Sequence, residues 1–146
     1  VIIPQSMEMD YQVYGEGEAK LAWLDQDIEI ESANEMAGQG AVRLMQDIHA
    51  RIVAGHFPVG HLKFLLNGKE KFSFTSTSKP EMLLNSLPGS SATLLLNARV
   101  QTKPDILDLL VSDAVSALEK DGEFGVCVRS HSVFQPGFPK PVHRME

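Results

Sequence analysis

Histidines are the side chains with the widest chemical range in this chain. The stretch GHFPVGH sets His56 and His61 close together, with His49, His131 and His143 elsewhere. Imidazole nitrogens ligate metals and carry protons near neutral pH, so His56 and His61 form the candidate metal pair. Their spacing crosses a proline-containing loop, lacks the i, i+4 geometry of a helical ligand pair, and is unaccompanied by any CxxC. The alternative is a pair of loop and strand-edge histidines that hold no ion. Cys127 is the single thiol, a nucleophile or soft-metal ligand by chemistry. In FGVCVRSH it falls mid-strand, where a small residue packed against a neighbour is expected. Ser112 and Ser116 fall on a helix and the serines flanking His131 on a strand, and no spacing joins a serine, a histidine and an acid into a triad. A phosphate loop of the form GxxxxGK[ST] is absent, since YGEGEAK has the glycines without the order. The expectation is a chain that is not an enzyme.

The elements that would position these groups are legible from periodicity. LAWLDQDIEIES is a strand over about 20–31, with Ile28 and Ile30 on one face alternating with acids. A helix follows, with Ala37, Ala41, Leu44, Met45, Ile48 and Ile52 as its apolar stripe, Ser32 or Asn34 as N-cap and Gly55 as stop. Gly38 and Gly40 weaken its first turn unless they permit close packing. GHLKFLLNGKEKFSFTSTS is a hairpin. A two-residue turn at Asn67-Gly68 would put Phe72 and Phe74 opposite to Leu62 and Phe64, whereas a loop extended to Lys69 pairs Phe64 with Phe72 and keeps the aromatics on one face; the longer loop is preferred. KPEMLLNSLPG is a helical turn or loop, and SSATLLLNARVQ is a central strand with Leu94, Leu96, Ala98 and Val100 on one face. TKPDILDLLVSDAVSALEKDG is the clearest helix, with Thr102 as N-cap, Pro104 and Asp105 in the first turn and Gly122 as stop. EFGVCVRSHSVF is the last strand, with Phe124, Val126 and Val128 inward. The order β-α-β-β-β-α-β predicts a ferredoxin-like split βαβ sandwich of the α+β class, with one extra strand and both helices on one face of a mostly antiparallel sheet.

The totals fit one domain. The chain has 146 residues, 43% of them hydrophobic, enough for a core of that size. A net charge of -6 with no basic run argues against a nucleic-acid surface, and no stretch approaches the roughly 20 apolar residues of a membrane span. One cysteine fits a reducing, cytoplasmic setting. The expected organisation is a linker or cloning remnant over 1–18, an α+β accessory domain over 19–134 and a proline-rich tail over 135–146.

Alternation assigns the sheet face turned away from the helices His61, Lys63 and Leu65, then Leu95, Asn97 and Arg99, then Cys127, Arg129 and His131. That face reads as locally basic, so Lys63, Asn97, Arg99, Arg129 and His131 are the candidate binding residues, for an anionic small molecule or a docking partner. An ordinary solvated face is the alternative. The RNA-binding sheet pattern of basic and aromatic residues is missing.

Taken together, LAWLDQDIEIES, GHLKFLL, LLLNARVQTKPDILDLLVSDAV and FQPGFPKPVHR resemble the C-terminal domain of CobW-like GTPases, a family related to cobalamin synthesis and metal-centre assembly. The resemblance covers most of residues 19–144 and its motifs are structural. It implies a non-catalytic domain contacting a GTPase domain of the same polypeptide or a protein partner, with a homodimer as a further option. No cofactor is expected in this chain; GTP and a divalent metal or corrinoid are implied for the larger protein alone. Pro136, Pro139 and Pro141 remove three donors and restrict φ, so the tail suits an extended docking strap anchored by Phe134 and Phe138. A tail that merely ends the sheet is the alternative. The second hypothesis is a stand-alone ferredoxin-like module holding an anionic metabolite on its open sheet face.

Overall fold

The computed structural model describes residues 20–79 and 89–136. Seven elements follow one another: β1 (Leu21–Ser32), α1 (Ala37–Ala54), β2 (Val59–Leu66), β3 (Glu70–Ser73), β4 (Ser91–Gln101), α2 (Pro104–Lys120) and β5 (Phe124–Phe134). The strands form one antiparallel sheet in the order β3-β2-β4-β1-β5. In each helical crossover a third strand lies between the two that the helix joins: β4 separates β1 from β2, and β1 separates β4 from β5. Two interleaved split βαβ units of this kind are the ferredoxin-like plan, and β3 is the added edge strand. No helix among the described residues is long and apolar enough to cross a membrane.

Both helices cover one face because their apolar stripes have no other partner. All six residues of the α1 stripe named above are buried, as are Leu107, Val111, Ala114 and Leu118 of α2. They pack on Leu24, Ile28 and Ile30 of β1, Leu62, Phe64 and Leu66 of β2, and Leu94, Leu96 and Val100 of β4. Gly40 lies in the first turn of α1, where an added Cβ would come within 2.6 Å of the Phe124 ring, so the glycine lets α1 approach the start of β5.

The hairpin takes the longer loop. Phe64 pairs with Phe72 and Leu66 with Glu70, leaving Asn67, Gly68 and Lys69 between the strands. Asn67 and Gly68 take left-handed φ values of 54° and 70°, which Asn and Gly tolerate best. Beyond the end of β3, the Phe74 N–H still donates to the Leu62 carbonyl, at 2.9 Å. The aromatics thus stay on the helix side, where Phe64 and Phe74 lie with ring centroids 5.7 Å apart.

The helix ends differ from the sequence expectation. Ser32 Oγ does accept backbone N–H groups, from Asn34 and Met36, both at 3.2 Å, but α1 starts only at Ala37 and its N-cap, Met36, makes no side-chain bond. Asn34 instead donates its amide to Glu123 across the molecule, at 2.8 Å. Gly55 remains right-handed, and His56 takes the left-handed position after it, with φ 59°. At α2 the N-cap is Lys103, not Thr102, with Pro104 at the start of the helix. The helical turn or loop expected over KPEMLLNSLPG falls largely at 80–88, outside the described residues, as do residue Phe138, most of the 135–146 tail and the 1–18 linker.

Candidate functional site

The sheet face opposite the helices is uncovered, and pairing across the strands fixes its composition. One row runs Phe134, Trp23, Arg99, His61 across β5, β1, β4 and β2; the next runs Ser132, Asp25, Asn97, Lys63; the next Ser130, Asp27, Leu95, Leu65. Beyond these lies Cys127 opposite Glu29. Asp25, Asp27, Glu29 and Glu31 therefore line one side of β1, while His61, Lys63 and Arg99 stand on β2 and β4. The face is two bands of opposite charge, not the uniformly basic surface expected from β2, β4 and β5 alone. The acids alternating with Ile28 and Ile30 carry this information in the sequence, but their adjacency to β4 is a matter of strand order.

Three of the five candidate binding residues are brought together. Lys63 pairs with Asn97, and Arg99 lies one step further along β4. Two are already engaged: the Asn97 amide donates to Asp25 Oδ1 at 2.6 Å, and the Arg99 guanidinium stacks 3.9 Å from the centroid of the Trp23 ring. Trp23 also meets Phe134, the last residue of β5, at 5.6 Å between centroids. The Trp23 Nε1–H is buried and finds no acceptor among the described residues. A cleft of about 490 Å³ opens on the same face beside Lys63, Lys71, Leu65, Leu95 and Asn97.

Arg129 and His131 depart from the expected face for one reason. Ile28 pairs with Val128 but Asp27 pairs with Ser130, so Arg129 is an extra residue with no β1 residue opposite. The bulge inverts the alternation of everything after it. His131 is carried to the helix side, where it lies opposite Gln26 and its Nε2 is 2.8 Å from Asp108 Oδ1 on α2. Strict alternation from Phe124 could not reveal this. Val128, expected inward, is 43% exposed, and Cys127 is exposed on the open face instead of packed.

The two candidate metal ligands sit in different settings. His56 is exposed in the turn after α1, whereas His61 is half-buried opposite Arg99. Burial, then Lys63 and Arg99, lower the affinity of His61 for a proton, against an opposing pull from Asp25. The same two cations disfavour a metal ion there, and among the described residues no three His, Cys, Asp or Glu side chains converge on one point. His49, by contrast, is a core residue: it is 5% exposed, with its Nε2–H donating to the Thr75 carbonyl at 2.8 Å.

The chain matches no family model, and no curated protein sequence matches it. Among solved structures it is similar to a hydantoinase/carbamoylase family amidase from Burkholderia ambifaria, with 15% identity over 78% of this chain and a TM-score of 0.43. It is also similar to a VAO-type flavoprotein from Myceliophthora thermophila, with 13% identity over 79% of this chain and a TM-score of 0.38. The chain spans 29% and 18% of those two proteins.

Proposed function

We propose that the chain is a non-catalytic accessory domain of a CobW-like, cobalamin-synthesis-related GTPase, meeting a GTPase domain of the same polypeptide or a protein partner through its open sheet face. The observation that supports this reading is the face itself. Phe134 and Leu95 are 43% and 39% exposed, Phe134 beside half-buried Trp23 at one end of the acidic band and Leu95 on β4 next to it, so large apolar side chains share a solvent-facing surface with charges of both signs, a composition that suits a contact surface. GTP and a divalent metal or corrinoid then belong to the partner half, and the setting is cytoplasmic. Lysine acetylation tests it: in the native gene product Lys63 and Lys71 are protected relative to the isolated chain, while Lys120 at the end of α2 reacts equally in both. Equal reactivity at all three lysines overturns the contact role, and GTP hydrolysis or tight GTP binding by the isolated chain, measured calorimetrically, overturns its non-catalytic part.

A second reading, a stand-alone module for an anionic small molecule, draws on the placement of Lys63 and Lys71 at the 490 Å³ cleft with Leu65 and Leu95 as apolar walls. Benzoate, titrated as the probe, binds saturably on this reading and loses affinity in Lys63→Glu. The Asn97 amide, already given to Asp25, and the acid row of β1 favour the first reading over it.

A further inference from the structure

The bulge at Arg129 also shapes the helix side of the sheet. It turns His131 toward α2, into the wall of a cleft of about 300 Å³ between α2, β1 and β5. On α2, Asp108, Ser112, Ser116 and Glu119 follow at intervals of three or four and so share one stripe of the helix, facing the cleft. His131 is held in the opposite wall by its contact with Asp108. Val115 and Val128 supply apolar surface, and the lining contains no Lys or Arg.

Gln26 forms part of the floor. It stands in the helix-side row of β1, between the fully buried Leu24 and Ile28, and is itself only 5% exposed. Its amide makes no hydrogen bond to any described residue, yet it is not among the polar groups sealed from solvent, so it is presented to the cleft. A polar side chain kept in a core position without an internal partner costs stability unless something in the cleft satisfies it. Bulges next to recognition sites serve this end, since they re-aim a side chain that a regular ladder would send elsewhere.

From this arrangement we infer that the cleft between α2, β1 and β5 is a binding site for a compact polar molecule carrying a primary ammonium group and a neighbouring hydroxyl. The ammonium donates to the carboxylate of Asp108, which meets the Gln26 row through His131, as a charge-assisted bond in a cleft whose lining holds no Lys or Arg. The hydroxyl exchanges a hydrogen bond with the Gln26 amide, and Ser112 and Ser116 complete the set. The site is independent of the open-face reading, because it lies on the opposite side of the sheet.

The test is a titration of the whole chain with ethanolamine, followed by amide NMR, with tetramethylammonium and acetate as controls. The Gln26 side-chain amide and the Ser112 and Ser116 backbone amides shift saturably at millimolar concentration, and neither control reproduces this. Gln26→Leu, which matches its neighbours Leu24 and Ile28 in character, weakens binding about tenfold by removing one buried hydrogen-bonding partner. Asp108→Asn, at a half-exposed position outside the core, weakens it as well. Absence of saturation, equal affinity in both variants, or acetate acting at the same amides overturns the assignment.

Discussion

The stack of Arg99 on Trp23 gives the open face its most quantifiable contact. A guanidinium 3.9 Å from an indole centroid is close for a cation–π pair, and both side chains are half-buried. Such pairs range from about 0.5 kcal/mol when exposed to about 2 kcal/mol when desolvated, which places this one near 1 kcal/mol. Neither single substitution isolates it, because Trp23→Leu also loses the ring contact with Phe134 and Arg99→Met changes the field at His61. A double-mutant cycle of Arg99→Met and Trp23→Leu by urea unfolding isolates the pair, with an expected coupling of about 1 kcal/mol. A coupling below about 0.3 kcal/mol, within the additivity of unconnected sites, refutes the stack. His61 supplies a second readout. Its proton affinity lies below the ordinary value of 6.5, through burial first and then Lys63 and Arg99, so the folded chain binds this proton less readily than the unfolded one. Stability is therefore lost as pH falls from 6.5 toward the folded value, and it rises with pH across that window. Arg99→Met raises the His61 pKa and shrinks that loss, while Trp23→Leu leaves the charge of Arg99 in place. An unchanged His61 titration in Arg99→Met, followed by NMR, contradicts the placement of the two side chains.

Phe64→Ala, deep under the helices, costs about 3–5 kcal/mol in urea unfolding, whereas Phe72→Ala at the half-buried edge strand costs clearly less; equal costs contradict the half-buried edge placement of Phe72. Deleting Arg129 removes the extra residue and lets Ser130 follow Val128 in a regular ladder, so His131 stays on the helix side and its ring protons keep their NOEs to α2. Transfer of those NOEs to open-face neighbours shows instead that Arg129 belongs to the regular alternation.

Much of this fold is written locally. The two helical stripes, Pro104 at the start of α2, and the pairing that keeps Phe64 and Phe72 on one face all follow from periods and turn residues within short windows, because each depends on neighbours a few positions away. The same logic assigned Lys63, Asn97 and Arg99 correctly to one face. It failed at β5, since a bulge is a mismatch between two strands and leaves no trace in the alternation of one. Arg129 became an extra residue only against β1, and that single insertion moved His131 from the open face to the cleft with Asp108 and Gln26. Strand order had the same hidden effect on charge. The acids of β1 and the cations of β2 and β4 are each visible in sequence, yet only the order β3-β2-β4-β1-β5 lays them side by side. Sequence thus determined the elements and the inward side chains of each, because burial selects them one element at a time. Tertiary structure alone decided which polar groups share a surface, because that depends on pairings between segments far apart in the chain.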